Sequence, residues 1–235
     1  MSAQPAYVVA PIVQASVAVA DTDRRFPVRR IFCVGRNYAA HAREMGKDPD
    51  RDPPFFFTKP ADAVVDTGTE LPYPPLTANL HHEIELVVAI GKAGFRIPPE
   101  TALDLVWGYG VGIDLTRRDL QSDAKEHGRP WDWGKAFDRS APCSALVPVV
   151  RSGHPATGRI WLEVNGKVRQ DADLSELIWP VADVIAICSQ AVELRPGDLI
   201  FTGTPAGVGA LVAGDRVRGG IAGLPEIDIT IGNAL

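Results

Sequence analysis

The chain has 235 residues, 46% of them hydrophobic and 23% charged, with a formal net charge of −5. That composition fits a folded domain large enough to need neither disulfides nor a metal merely to fold, and the acidic balance speaks against nucleic acid or an anionic membrane as the main partner. Its 22 glycines and 20 prolines exclude a simple helical bundle, because so many turn residues imply many short strands.

Residues 1–20 hold apolar stretches broken by Pro5, Pro11 and Gln14, without a basic leader, and are not read as a signal peptide. No apolar run reaches the length a bilayer demands. Three widely spaced cysteines (Cys33, Cys143 and Cys188) support neither a disulfide framework nor a zinc ribbon, so a reducing, cytoplasmic setting is expected. Residues 7–20 read as one or two strands and 30–34 as another. Residues 37–45 predict a short helix with Asn37 as N-cap and Gly46 just past its end. So short a helix must dock on something to persist. A Pro-rich loop is expected at 46–54, and strands at 55–58, 83–90, 110–116, 160–164, 199–202 and 227–231. Asn165-Gly166 marks a tight hairpin. A helix is predicted at 181–192, and the turn Arg195-Pro196-Gly197-Asp198 ends it. The sum is one strand-rich domain with a few helices.

In the segment HEIELVVAI, Glu83 and Glu85 are two residues apart. On a strand they share one face at a spacing of about 7 Å. Carboxylates beside so apolar a run are costly unless something positive lies between them. A third acid, Asp114, follows in GVGIDLT, where Gly110 and Gly112 on its face leave room for a ligand. Three hard oxygen donors without a thiolate suit Mg2+ or Mn2+. Alternatively, Glu83 and Glu85 form a solvent face and Asp114 opens a turn; spacing alone leaves both readings open. His81 shares the parity of the two glutamates and is a candidate fourth ligand, while His82 points the other way; either also suits a rim or packing role.

His41 and Glu44 lie three apart and share a helix face. A carboxylate beside imidazole orients the ring and raises its basicity, as a water-activating base requires, although the same pair is common on solvated helices. Lys59, Arg117, Arg118, Gln121 and Lys135 are further polar candidates that no spacing singles out. The segment TGTPAGVG at 202–209 offers backbone N–H groups to an anion but lacks the Gly-Lys-Ser/Thr ending of a phosphate loop.

Taken in order, VGRNYAAHAREM, FTKP, the 83–90 segment, GIDLTRRDLQ, WGKAFD and LRPGDLIFTGTPAG resemble the fumarylacetoacetate hydrolase family from residue 31 to about 231. The resemblance implies an α+β, mainly β fold: a mixed β-sandwich roll of the family's C-terminal-domain type with a few short helices. It implies an N-terminal strand extension at 1–30 and a single catalytic domain at 31–235. It implies Glu83, Glu85 and Asp114 as ligands of Mg2+ or Mn2+, and His41 with Glu44 as a water-activating dyad on a lid helix. Lys135 and Gln121 match positions that contact the substrate and its developing oxyanion. Arg118, Lys59 and Thr204 match positions lining the substrate pocket. A homodimer acting on a small diketo acid, with no nucleic-acid or membrane partner, is expected.

The implied reaction is metal-dependent hydrolysis of a carbon–carbon bond in a β-diketo acid. Residues 45–60 together with His81-His82 are similar to members that cleave 3-fumarylpyruvate to fumarate and pyruvate in gentisate breakdown. Maleylpyruvate or another acylpyruvate is an alternative substrate, and oxaloacetate decarboxylation or a 2-hydroxymuconate-type isomerisation an alternative reaction. The His41–Glu44 pair favours hydrolysis, because an isomerase needs no water-activating dyad. A non-catalytic metal-binding protein would need neither base nor pocket positions. Three acids and one divalent cation sum to −1, so the site is expected to be net acidic.

Overall fold

Every residue of Ile84–Ile90 is buried, the mark of a strand covered on both faces rather than one edging water. In the computed structural model, which describes residues 7–44 and 54–234 and the side chains of all of these except 42–44, this strand is central in an eight-stranded sheet. Its neighbours, Asp198–Phe201 and Val106–Ile113, are both antiparallel to it. Beyond them run Arg30–Gly35 and Phe55–Lys59 on one side, Ala141–Cys143 and Val64–Asp66 on the other, and the eighth strand, Val147–Pro148, pairs with Val106–Ile113. Arg30–Gly35 is parallel to Asp198–Phe201, and Ala141–Cys143 is parallel to Val64–Asp66, so the sheet is mixed.

A five-stranded sheet, ordered Lys167–Asp173, Arg159–Val164, Arg216–Ile221, Ile227–Ala234 and Glu70–Tyr73, forms the second layer. Ile84, Leu86 and Val88 meet Ile160, Leu162 and Val217 of that layer, with Val184 and Ile185 of the helix Val181–Ala191, in the main core. The opposite face of the central strand, through Val87 and Ala89, packs with Cys33, Phe201, Val17 and Phe26. Each aliphatic side chain so enclosed contributes about 1.5–3 kcal/mol. This is the mainly β, mixed sandwich roll with few short helices that the sequence implies. Asn165 and Gly166 both take positive φ, 52° and 75°, and close the expected hairpin. The three cysteines are buried and unpaired.

The departures matter for the site. The expected strand 83–90 is one run that begins a residue later, at Ile84, because the chain changes sheets at Glu83. Leu80–His82 pairs with Thr116–Arg117 and Gly209–Leu211 in a small three-stranded sheet, and only Ile84 onward joins the large one. The expected strand 110–116 divides into Val106–Ile113 and Thr116–Arg117, with Asp114 at the break. Of residues 7–20 only Ser16–Ala18 is a strand, and its partner is Arg25–Pro27. The helix Arg118–Glu126 (RDLQSDAKE) was not expected, since its segment is almost wholly polar.

The short helix is Ala39–Glu44; its expected last residue Met45, with Gly46 just past it, and most of the expected loop at 46–54 lie outside the described residues. Asn37 is fully buried, and its side-chain amide reaches across the fold. It donates to Trp179 O at 2.9 Å and Thr202 O at 2.8 Å, and accepts from Trp179 N at 2.7 Å. The foot of the short helix is thereby fixed to the loop after Asp198–Phe201.

Candidate active site

The sheet change at Glu83 is what gathers the acids. Asp114 N donates to Glu83 O at 2.8 Å, and Glu85 stands one step along the same ladder, opposite Gly112. One carboxylate oxygen from each of Glu83, Glu85 and Asp114 lies within 4.8 Å of the others. All three residues are buried, at 5%, 1% and 0% exposure, which excludes the solvent-face reading.

Three like charges this close repel, and the protein answers with three cations. Lys135 Nζ bridges Glu83 Oε2 at 2.8 Å and Asp114 Oδ2 at 2.6 Å. Arg118 pairs with the other Glu83 oxygen. Lys59 Nζ lies 2.9 Å from Asp114 Oδ1, in a geometry that makes no hydrogen bond to it. Glu85 accepts the backbone N–H of Gly203 at 2.7 Å and makes no ion pair among the described residues. Burial, then Asp114 and Glu83, push the Glu85 carboxyl well above the usual range. Burial acts the same way on Glu83, but Lys135 and Arg118 overcome it and hold that carboxyl below its usual range. Burial disfavours the Lys135 ammonium, yet Asp114 and Glu83 keep it charged.

A buried carboxylate without a counter-charge costs on the order of several kcal/mol and takes up a proton or a cation. Glu85, together with the hydrogen-bond-free Asp114 Oδ1, therefore fits a hard divalent cation such as Mg2+ or Mn2+, held by oxygen alone. The expectation of a net acidic site is corrected. Lys59, Lys135 and Arg118 equal the three acids in number, pairing with Glu83 and Asp114 and not with Glu85, so a divalent cation would make these groups net positive. Spacing did not reveal this, because the cations come from three separate segments.

Two further expectations are corrected. Gly110 and Gly112 do not leave room for a ligand: a Cβ on Gly110 would lie 2.8 Å from Leu146, and one on Gly112 2.5 Å from Phe201. Their missing side chains are filled by core packing. His81 is not grouped with the triad. Its ring lies 2.9 Å from Asn79 Oδ1 and 3.4 Å from Arg118 Nε, and burial followed by the Arg118 charge lowers its pKa to about 4. His82 packs against Gln170 at 3.0 Å.

His41, 6% exposed, lines the same pocket as the triad, with Lys135, Arg118, Gln121 and Thr204. The side chain of Glu44 lies outside the described residues. Gln121 Oε1 accepts from Arg118 Nη1 at 2.6 Å, leaving its amide donors for the pocket. Gly134 permits this arrangement, since a Cβ there would lie 2.9 Å from Gln121 N. Lys59 is not among the residues lining the pocket. Its ammonium donates to Leu115 O and Lys135 O and faces Asp114, which puts it behind the triad. Arg117 is directed elsewhere, stacked 4.3 Å from the Phe137 ring.

Sequence reasoning missed Gln170, which lies fully buried in the outer hairpin. Its Oε1 accepts from Ile84 N at 3.1 Å and from His82 Nδ1, while its Nε2 donates to Thr204 Oγ1 and Pro205 O, both at 2.8 Å. Because Thr204 Oγ1 accepts from Gln170, its own O–H remains free to donate into the pocket. The contact spans 86 residues to Ile84, and no local spacing signals it. Arg36, Lys125, Phe55 and Trp131 of the pocket wall were missed as well. Lys125 had a signal: Arg118, Gln121 and Lys125 fall at i, i+3 and i+7, on one helical face.

Known proteins resemble this chain over most of its length. Residues 30–232 match the family described as fumarylacetoacetate (FAA) hydrolase C-terminal. The fumarylpyruvate hydrolase of Ralstonia sp is 47% identical over 192 residues, covering 81% of this chain and 100% of the relative. The human mitochondrial oxaloacetate tautomerase FAHD1 is 41% identical over 203 residues, 86% of this chain and 91% of that protein. The crystal structure of fumarylpyruvate hydrolase from Pseudomonas aeruginosa in complex with Mn2+ and pyruvate is 55% identical, with a TM-score of 0.95 over 97% of this chain and 100% of that one. The chain belongs to the fumarylacetoacetate hydrolase family.

Proposed function

We propose that this chain hydrolyses a carbon–carbon bond in an acylpyruvate, and that its substrate is 3-fumarylpyruvate, cleaved to fumarate and pyruvate. The observation that carries the reading is that His41 and the Glu83–Glu85–Asp114 triad line one pocket. The likeness to two fumarylpyruvate hydrolases supports the substrate. On this reading 31–235 is the catalytic unit, 1–30 an extension of it, and the active form a cytoplasmic homodimer serving gentisate breakdown.

A divalent cation held by Glu83, Glu85 and Asp114 would supply Lewis acidity at the 2-oxo-acid end of the substrate, which fits the Mn2+ and pyruvate of the Pseudomonas aeruginosa complex. His41, for which the sequence implies Glu44 as partner, takes a proton from water as the water oxygen adds to the acyl carbonyl carbon beside the alkenoate arm. Lys135 and the Gln121 amide donate to oxygen that gains negative charge. The bond from that carbon to the methylene then breaks. Its electron pair leaves with the pyruvate half, whose methylene carbon recovers the proton from His41. Thr204, oriented by Gln170, donates to the 2-oxo acid, and Lys59 acts by fixing Asp114.

A second reading, tautomerisation of oxaloacetate, is favoured by the human relative; it needs proton transfer beside a carbonyl but no water attack. An ultraviolet assay of 3-fumarylpyruvate, maleylpyruvate, acetylpyruvate and oxaloacetate, each with Mn2+ and with chelator, tests both. Metal-dependent loss of 3-fumarylpyruvate in preference to the others supports the proposal. Interconversion of oxaloacetate tautomers without cleavage of any acylpyruvate supports the second reading instead.

A further inference from the structure

The pocket is chemically two-ended. At its base lie the acids and Lys135; its wall carries two further cations on aromatic rings. The Arg36 guanidinium lies 5.0 Å from the centre of the Phe55 ring, and the Lys125 ammonium 4.8 Å from that of Trp131. Phe55 and Trp131 meet edge to face at 5.1 Å, so one aromatic pair carries both cations. The backbone is bent to allow this. Arg36 adopts φ of 62°, the left-handed region that non-glycine residues enter at a cost, and a Cβ on Gly35 would fall 2.1 Å from the Phe55 ring. Arg118 and Lys135 at the base are already paired with Glu83, whereas Lys125 forms no ion pair among the described residues. Lys125, on the Trp131 face of the pocket wall, can receive an anion without breaking an ion pair to a described residue.

We propose that Lys125 and Arg36, carried on the Phe55–Trp131 pair, form the subsite for a second carboxylate, at the end of the substrate remote from its 2-oxo acid. The subsite selects dicarboxylic acylpyruvates over those with an apolar acyl group. It rests on the acylpyruvate reading above and adds the residues that choose among acylpyruvates. Lys125 is a specificity-determining residue, positioned one helical turn beyond Gln121.

The test compares wild type with Lys125→Met and Lys125→Arg. For wild type, kcat/KM for 3-fumarylpyruvate should exceed that for acetylpyruvate, which lacks the far carboxylate. Lys125→Met should shrink that ratio about tenfold or more, mainly through KM, the scale of one charge-assisted hydrogen bond. Lys125→Arg should restore most of it. An unchanged ratio in Lys125→Met overturns the proposal, and so does equal loss on both substrates. Calorimetric titration of the Mn2+-loaded protein with fumarate and with crotonate, its monocarboxylate counterpart, is independent of turnover. Wild type should bind fumarate about tenfold tighter, and Lys125→Met should bind the two alike. Equal binding by wild type removes the subsite even if hydrolysis is found. Discrimination without hydrolysis of any acylpyruvate upholds the subsite and removes the hydrolase reading.

Discussion

Gly203 donates its backbone N–H to Glu85 Oε2 at 2.7 Å, and among the described residues this carboxylate makes no ion pair. Its partners in the triad are neutralised by Lys59, Lys135 and Arg118. Glu85 is thus the position where a missing positive charge is most strongly felt. Replacing it with Gln keeps the size and removes the charge. Glu85→Gln should weaken Mn2+ binding by about 100-fold or more, measured by calorimetry, while the metal-free protein melts no lower than wild type. The rise in Tm that Mn2+ gives wild type should disappear. Retained Mn2+ affinity would place the cation elsewhere.

His41 carries the proton transfer in the proposed hydrolysis. His41→Ala should lower turnover of 3-fumarylpyruvate by about 10²–10⁴-fold, the span of general-base catalysis, with Mn2+ affinity retained within a few fold. Near-full turnover would mean that another group activates water. His81 is poorly placed to do so, since its ring is engaged by Arg118 and Asn79.

Lys125 gives the pH dependence a direction. Burial first, then the Arg118, Lys135 and Arg36 charges, with Glu83 opposing them, lower its pKa to about 8. The ammonium is charged below that value and neutral above it, so the hold on a far carboxylate weakens as pH rises through 8. The kcat/KM ratio of 3-fumarylpyruvate to acetylpyruvate should fall across that step. In Lys125→Arg the step should vanish, because guanidinium stays charged. A ratio flat from pH 7 to 9 in wild type would contradict this.

Gln170 joins the outer hairpin to both Thr204 and the start of the central strand. Gln170→Leu strands buried donors and acceptors at about 1–3 kcal/mol each. Chemical denaturation should show a loss of about 2–4 kcal/mol, or a Tm lower by about 5–15 °C. An unchanged Tm would show that these groups find other partners.

Much of the site was legible in the chain. The triad, His41, Lys135, Gln121, Arg118 and Thr204 stand in ordered short motifs, and the structure brings them to one pocket. What stayed hidden is what local periodicity does not carry. The break at Glu83 leaves no mark in HEIELVVAI, yet it divides two sheets. The helix Arg118–Glu126 has no apolar stripe; it is held by the bare backbone of Gly134 against Gln121. Gln170 acts across 86 residues, and the charge balance depends on cations from three segments. The glycines beside Asp114 are bare because Leu146 and Phe201 press on them, a fact of packing.

The most direct measurement is cleavage of 3-fumarylpyruvate in 18O-enriched water with Mn2+, following products by mass spectrometry. The expected result is fumarate and pyruvate in equal amounts, with solvent oxygen in the new carboxyl group of fumarate and no reaction in chelator. Persistence of the seven-carbon acid in the presence of Mn2+, or fumarate formed without solvent oxygen, would contradict hydrolysis at this site.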